Sequence, residues 1–178
     1  LERFQNIMIE TGERKNFAVR SVDYYQKMYK LFHDKGQVKY FVTELDLVQY
    51  QKKLEDDKKL AEEKLAGLSD AKYNEGQKKN LENEINSYDK RIKEAIDIRQ
   101  NKGKDIITLS GSMFMIIQPE IVYLSSGNYL EFIKFDSQYL LQWMMIQYGI
   151  EKGFKKHNFY GIPANINLHP KDYGIYEF

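Results

Sequence analysis

Two stretches in the last third of the chain decide the fold class: PEIVYLSSG at residues 119–127 and YLLQWMMIQYGIEKGFKKHNFYGI at residues 139–162. In the first, Glu120–Leu124 is rich in strand formers. In the second, closely spaced apolar residues run up to Gly153, so we predict a long helix that Asp136 or Ser137 caps. Phe159–Tyr160 is a further strand candidate. This order of strand, helix and strand predicts an α/β fold.

The same α/β pattern continues on both sides of a charged segment at residues 47–104. We expect the two flanks, 1–46 and 105–178, to form one domain with a single sheet. Its remaining predicted elements are helices at 2–11 and 21–34, the second with Ser21 as N-cap, strands at 38–45, 106–117 and 175–176, and a loop at 126–128.

The charged segment, Leu47 to Lys104, has the pattern of an antiparallel helical hairpin. Leucine or alanine recurs every seven residues in its first half, at positions 47, 54, 61 and 68. In its second half the spacing alternates between four and three, as in the seam of a coiled coil. Glycine, serine and asparagine between positions 67 and 76 mark a turn. We therefore predict an inserted coiled-coil arm. The predicted seam of its second helix is Leu81, Ile85, Tyr88, Ile92, Ala95 and Ile98 or Arg99.

Composition excludes several classes of function. The net charge is +1, so overall charge does not favour nucleic acid, and the absence of cysteine excludes disulfides and thiolate nucleophiles. His33, His157 and His169 lie far apart, and we expect no metal site. Nucleotide-binding glycine loops and the serine-hydrolase motif are absent. No apolar run approaches the roughly 18–20 residues of a membrane span. The chain begins with Leu1, and we expect it to be a fragment.

Two sets of residues, each containing basic side chains, suggest binding sites. Arg20 and Tyr24 are four residues apart at the start of a predicted helix and can share a face that binds phosphate. The alternative is a surface arginine packed over a tyrosine ring. Basic pairs on the arm can contact an RNA backbone, although a mixed-charge face is usually the solvated exterior of a coiled coil. The pairs are Lys52–Lys53, Lys58–Lys59, Lys78–Lys79 and Lys90–Arg91.

The quoted motifs resemble the second domain of the Fem family of peptidoglycan aminoacyltransferases. That family has a strand ending in VYxxxG, a helix with W-x-M-I-x-Y spacing, NFYGI, and a D-x-G-I-Y-x-F segment. The chain repeats this order, closing with DYGIYEF at 172–178. TGERKNFAVR at 11–20 is also similar to a family segment, and His157 stands where the family usually has tyrosine. The resemblance covers essentially the whole chain and implies a GNAT-like domain with a coiled-coil insertion.

The resemblance also implies the chemistry. Fem enzymes transfer Gly, Ala or Ser from aminoacyl-tRNA to the peptide-stem lysine or growing bridge of a peptidoglycan precursor, which is UDP-MurNAc-pentapeptide or its lipid-linked form. The amine attacks the aminoacyl ester, and neither metal nor acetyl-CoA is required. A cytoplasmic location at the inner face of the membrane, with peripheral association, is implied. The family's first GNAT-like domain and a basic run after Phe178 are missing, so we expect this chain to be catalytically incomplete and its catalytic residues to be unknown.

The family motifs assign candidate residues. Arg20 and Tyr24 match the positions that hold the precursor's diphosphate, and Tyr123 and Tyr160 match strand positions that line the cleft. Contacts with tRNA are expected from Lys78, Lys79, Lys90 and Arg91. The alternative function is an RNA-binding or interaction module that acts through the arm. An acetyltransferase is disfavoured because the pyrophosphate loop is absent.

Overall fold

The computed structural model describes residues 1–69 and 71–161, with residue 72 described by its backbone alone. It divides the chain into two compact units, Leu1–Thr43 with Thr108–Phe178, and Glu44–Ile107. The predictions for DYGIYEF, for the strand at 175–176 and for His169 lie outside the described residues.

The described residues form helices and strands in the order α1, α2, β1, α3, α4, β2, β3, α5, β4. Helix α1 is Glu2–Lys15, α2 is Val22–Phe32, α3 is Leu47–Ala66, α4 is Glu75–Lys102 and α5 is Ser137–Glu151. Strand β1 is Val38–Asp46, β2 is Ile106–Ile117, β3 is Glu120–Asn128 and β4 is Lys156–Asn158. Short 3₁₀ helices lie at Lys72–Asn74 and Leu130–Phe135.

The described strands form one four-stranded sheet in the order β1-β2-β3-β4. Strand β3 pairs antiparallel with β2 and parallel with β4, so the sheet is mixed. The α/β class with strands from both flanks in a single mixed sheet is therefore confirmed. Parallel strands require a crossover connection, and α5 supplies it between β3 and β4.

Each face of the sheet carries its own apolar core. On one face Phe4 and Met8 of α1 and Tyr25 of α2 pack against Val38, Met113 and Met115. On the other, Leu141 and Met145 of α5 pack against Phe114, Ile116, Ile121 and Tyr123. Successive strand residues point to opposite faces, so Met113 and Phe114 enter different cores. Among the described residues, two helices thus cover one side of the sheet and one helix covers the other.

Three predicted boundaries were wrong. Helix α1 runs on to Lys15, beyond the predicted end at Thr11. The predicted loop at 126–128 belongs to β3, because Gly127 pairs with Gly111 in the register of β2. The last described strand is Lys156–Asn158 rather than Phe159–Tyr160, and Tyr160 has a positive φ of 45°. In each case pairing or packing outweighed local sequence preference.

Gly127 illustrates that packing. A Cβ atom at this position would collide with the hydroxyl of Thr11, and Ile7 lies almost as close. The hydroxyl of Thr11 donates to the carbonyl of Ile7 at 2.8 Å, and Nη2 of Arg14 donates to the carbonyl of Asn128 at 3.2 Å. Helix α1 therefore lies directly on the end of β3, where the sequence suggested only a turn.

The second unit contains α3 and α4, of 20 and 28 residues. The side chain of Asp46 caps α3 by accepting from the backbone N–H groups of Val48 and Gln49, both at 3.0 Å. Lys58 of α3 reaches Asp89 of α4 at 2.7 Å, which raises the pKa of that lysine. The residues buried between the helices include Leu47, Leu54 and Ala61 of α3 and Leu81 and Ala95 of α4.

Candidate functional site

Arg20 and Tyr24 lie together at the start of α2. Ser21 is the N-cap, and its hydroxyl accepts from the backbone N–H of Tyr24 at 3.2 Å, so the predicted cap is confirmed. The Arg20 guanidinium lies over the Tyr24 ring, 5.6 Å from its centroid. Both side chains are exposed. An arginine, a phenol and the positive end of a helix dipole therefore face solvent within one turn of backbone.

A cluster of aromatic rings fixes this end of α2. The Tyr24 ring packs edge-on against that of Tyr25 at 5.4 Å, and Tyr25 packs edge-on against Phe4 at 5.1 Å. The hydroxyl of Tyr40 donates to the carbonyl of Tyr25 at 3.2 Å, and burial raises the pKa of Tyr40. The carbonyl of Arg20 accepts from Nε2 of Gln5 at 3.1 Å. The backbone beneath the exposed pair is consequently tied to both α1 and β1.

Tyr123 lies in a buried polar network beneath α5. Its hydroxyl donates to Oε1 of Gln138 at 3.0 Å, and the hydroxyl of Ser112 donates to the same oxygen at 2.7 Å. Nε2 of Gln138 donates to the carbonyls of Gly111 and Gly127 at 3.1 and 2.8 Å. Because those two carbonyls need donors, the amide orientation is fixed, and both hydroxyls must donate to its oxygen. Burial raises the pKa of Tyr123, which stays a neutral phenol.

The four tyrosine and arginine candidates do not converge. Tyr24 belongs to the helix over one face of the sheet, whereas Tyr123 packs in the core of the other face. Tyr160 follows β4 and is exposed, and its backbone N–H donates to Oδ1 of Asn158 at 2.9 Å. The described residues therefore bring Arg20 and Tyr24 together and place Tyr123 on the opposite face of the sheet from them.

His157 and Gln142 form a second polar pair on the α5 face. Nε2 of His157 lies 2.8 Å from Oε1 of Gln142, which is an acceptor, so this nitrogen carries the hydrogen. Burial lowers the pKa of His157 and favours the neutral ring. Sequence reasoning missed Gln138 and Gln142 as partners of these residues. Their spacing of four in a largely apolar helix was the available signal, because it places two amides on one face.

The residues predicted to contact tRNA all lie on α4. Lys79, Lys90 and Arg91 are exposed, and Lys78 is half-buried. Arg91 donates from Nε to the hydroxyl of Tyr50 at 3.0 Å and lies over its ring at 5.5 Å. Arg91 therefore joins the two helices of the hairpin, whereas Lys79 and Lys90 extend from its surface.

The part of the chain that the structure describes has neither a cluster of metal ligands nor a helix that could span a membrane. No group of three or more histidine, cysteine, aspartate or glutamate side chains there is arranged to hold a metal ion. None of the described helices has the length and apolar character needed to cross a bilayer.

Comparison with known proteins identifies the family. A model of the FemAB family matches residues 1–178. The chain belongs to the FemAB family. The resemblance inferred from the W-M-M-I-Q-Y helix and the NFYGI segment is thus confirmed.

The chain matches individual Fem proteins over part of their length. It is 30% identical over 183 residues to aminoacyltransferase FemA of Staphylococcus epidermidis, covering 98% of this chain and 43% of that protein. Identity to FemA of Staphylococcus aureus strain MW2 is 27% over 182 residues, with the same coverage. The crystal structure of FemX aligns with a TM-score of 0.68 and 25% identity over 99% of this chain and 46% of FemX. The chain spans less than half the length of these relatives.

Proposed function

We propose that this chain is part of an enzyme that transfers Gly, Ala or Ser from aminoacyl-tRNA to the peptide-stem lysine or growing bridge of a peptidoglycan precursor. The observation that carries the proposal is the FemAB match over residues 1–178, together with relatives named aminoacyltransferase. The acceptor is UDP-MurNAc-pentapeptide or its lipid-linked form. We place the reaction in the cytoplasm, at the inner face of the membrane.

The Arg20–Tyr24 pair is the proposed contact for the diphosphate of the precursor. A guanidinium supplies two parallel donors that match phosphate oxygens, and a phenol adds a third. The start of α2 adds a favourable dipole, and the aromatic packing beneath it holds these groups in place. Because both side chains are exposed, a ligand reaches them without rearrangement of the core.

The proposed reaction is attack of the acceptor amine on the aminoacyl ester carbonyl, with the tRNA hydroxyl as leaving group. Positioning the two substrates supplies much of the rate enhancement in such a reaction. The network around Tyr123 supports this role by holding α5 against β2 and β3, and Tyr123 and Tyr160 are proposed to line the cleft. Lys79 and Lys90, which are exposed on α4, are proposed to contact an RNA backbone, with Lys78 and Arg91 beside them.

Three further features belong to the proposal. The domain formed by residues 1–46 and 105–178 is proposed to be GNAT-like, for which the likeness to FemX is the support. Residues 47–104 are proposed to be a coiled-coil arm, supported by the burial of Leu47, Leu54 and Ala61 at intervals of seven. Since the relatives are more than twice as long as the matched region, the complete catalytic centre is proposed to need additional chain.

Substitution of Arg20 in the complete enzyme tests the precursor site. Loss of one charge-assisted contact typically costs about 1.5–3 kcal/mol, or roughly ten- to a hundredfold in affinity. Arg20→Ala should raise KM for the precursor by that factor and leave KM for aminoacyl-tRNA nearly unchanged. Arg20→Lys should restore only part of the affinity, because a point charge does not reproduce the guanidinium fork.

Arg91→Ala provides the control, since it removes an arginine that also lies over a tyrosine ring but belongs to the hairpin. It should leave KM for the precursor unchanged. Wild-type KM for the precursor in Arg20→Ala would show that Arg20 is only a surface residue. Absence of aminoacyl transfer by the wild-type enzyme would reject the proposed activity itself.

A further inference from the structure

Two glutamines of α5 each contact one side chain of a neighbouring strand. Gln138 accepts a hydrogen bond from the hydroxyl of Tyr123 on β3 at 3.0 Å. Oε1 of Gln142 lies 2.8 Å from Nε2 of His157 on β4. Residues four apart share one face of a helix, so the two amides form a row between α5 and the sheet. Gln142 is only 4% exposed, and an amide buried so deeply needs a partner for each of its polar atoms.

Tyr123 and His157 pack against the same two rings. The centroid of the Phe114 ring lies 5.3 Å from that of Tyr123 and 6.2 Å from that of His157. The Phe159 ring lies edge-on to both, at 6.5 and 5.1 Å. In the parallel pairing of β3 with β4, His157 is the partner of Ile121. Because Ile121 and Tyr123 are two residues apart on one strand, they lie on the same face of the sheet, next to His157.

His157 determines which end of the Gln142 amide faces Tyr123. Since Oε1 is directed at His157, Nε2 of Gln142 lies at the other end of the amide. That nitrogen is buried and has no hydrogen-bond partner of normal geometry among the described residues. Burial raises the pKa of Tyr123, and the side chains of Ser126, Ser112 and Gln142 oppose that rise. A side chain has this effect on a phenol when its donor is directed at the phenol oxygen, so Nε2 of Gln142 faces the oxygen of Tyr123.

We propose that His157 is a positioning residue for Tyr123 and acts through the amide of Gln142. The N–H of His157 holds Oε1 of Gln142, which turns Nε2 of the same amide toward the Tyr123 oxygen. The hydroxyl hydrogen of Tyr123 is donated to Gln138. The phenol is therefore held at its oxygen and at its hydrogen. The inference rests on the proposed function in one respect, which is that Tyr123 lines the substrate cleft.

This arrangement decides what Tyr123 can bind. A phenol whose hydrogen is already donated offers a ligand a lone pair and no hydrogen. Its ligand is therefore a hydrogen-bond donor, and the acceptor amine of the proposed transfer has that chemistry, whereas a diphosphate does not. Loss of the His157 contact should lower kcat more than it raises KM for the precursor, because the amine is positioned for attack while the diphosphate supplies binding at Arg20.

Three substitutions in the complete enzyme separate positioning from packing. His157→Phe keeps a ring beside Phe114 and removes the N–H. It should lower kcat about five- to tenfold and change KM for the precursor by less than about twofold. His157→Gln restores an N–H donor to Gln142 and should recover most of kcat. His33→Phe is the matched control at an exposed position and should leave both constants unchanged.

A double-variant cycle tests the route from His157 to Tyr123. Tyr123→Phe should lower kcat at least as much as His157→Phe, and the double variant should lose no more than Tyr123→Phe alone. Additive losses would show that His157 acts on a different group. Wild-type kcat in His157→Phe would show that it positions nothing. Either result overturns the proposal. Should His157→Phe fail to fold, Gln142→Met interrupts the same route and takes its place in the cycle.

Nitrogen NMR of enzyme labelled at its histidine rings tests the first contact without any substrate. The signals of His157 are assigned by their loss in His157→Gln. We expect the Nε2–H tautomer in the wild type and a mixture of both tautomers in Gln142→Met, which removes the acceptor but keeps the length of the side chain. An unchanged tautomer in Gln142→Met overturns the proposal. Absence of aminoacyl transfer by the wild type, with the expected tautomers, would instead reject the proposed function.

Discussion

The amide of Gln138 offers the sharpest test of how this fold is held together. Its side chain makes four hydrogen bonds, to the carbonyls of Gly111 and Gly127 and from the hydroxyls of Ser112 and Tyr123. Substitution by methionine keeps the length of the side chain and removes all four. At a net contribution of about 0.5–1.5 kcal/mol for each bond, the loss is roughly 2–6 kcal/mol, and we expect about 3 kcal/mol because the hydroxyls can rotate.

The measurement is equilibrium unfolding in urea. Trp143 is the one tryptophan of the chain and lies on α5, so its fluorescence reports on the element that Gln138 anchors. Gln147→Met is the matched control, since it makes the same substitution on the same helix at an exposed position. The control should change the free energy of unfolding by less than about 0.5 kcal/mol. If Gln138→Met also changes the free energy of unfolding by less than about 0.5 kcal/mol, the Gln138 network does not stabilise the fold. The argument that this network holds the Tyr123 hydroxyl in place then fails.

Three other predictions follow from packing, titration and organisation. Gly127→Ala should destabilise the chain by about 1–3 kcal/mol in the same urea assay, because its Cβ collides with Thr11; wild-type stability would mean that α1 does not lie on β3. Burial lowers the pKa of His157, so the unfolded state binds more protons and stability should fall as pH drops below about 6.5. His157→Gln should flatten that dependence, and an equal slope in the wild type and the variant would contradict the assignment. Replacement of residues 47–104 by a short glycine linker should leave a cooperative transition with less helical circular dichroism, and a molten product would refute an autonomous arm.

Several elements were predictable because local chemistry decides them. Ser21 accepts a hydrogen bond from the helix it precedes, which is the role that its hydroxyl suggests in any context. Strand β2 has the predicted bounds, Ile106–Ile117, because β-branched and apolar residues fill both of its faces. The Fem motifs named the family without any coordinates, since a W-M-M-I-Q-Y helix followed by NFYGI is specific in both order and spacing.

The candidate site was only partly predictable. Arg20 and Tyr24 lie close together because they are four residues apart at the N-terminus of one helix. Tyr123 was expected in the same cleft, but strand alternation turns its side chain toward α5 while α2 covers the other face. Which face a given strand residue occupies depends on the packing of distant helices, and the motif alone did not contain that information.

The sequence by itself determined the family, the α/β class, the charged helical segment and the Ser21 cap, because these depend on residues close together along the chain. The predicted side-chain cap of α5 was wrong, since neither Asp136 nor Ser137 makes a side-chain cap hydrogen bond and the Ser137 hydroxyl donates to Ser110 instead. Only the tertiary structure decided that β3 continues through Gly127, that Gln138 joins two strands to a helix, and that α5 has exposed apolar residues on its outer face. The first two of these depend on groups separated by between 11 and 117 residues along the chain, as in the bonds from Gln138 to Gly127 and from Thr11 to Asn128. The local preference of a short segment for helix, strand or loop is weak. Pairing and packing with distant residues therefore decide which of these it adopts, and those contacts exist only in the assembled core.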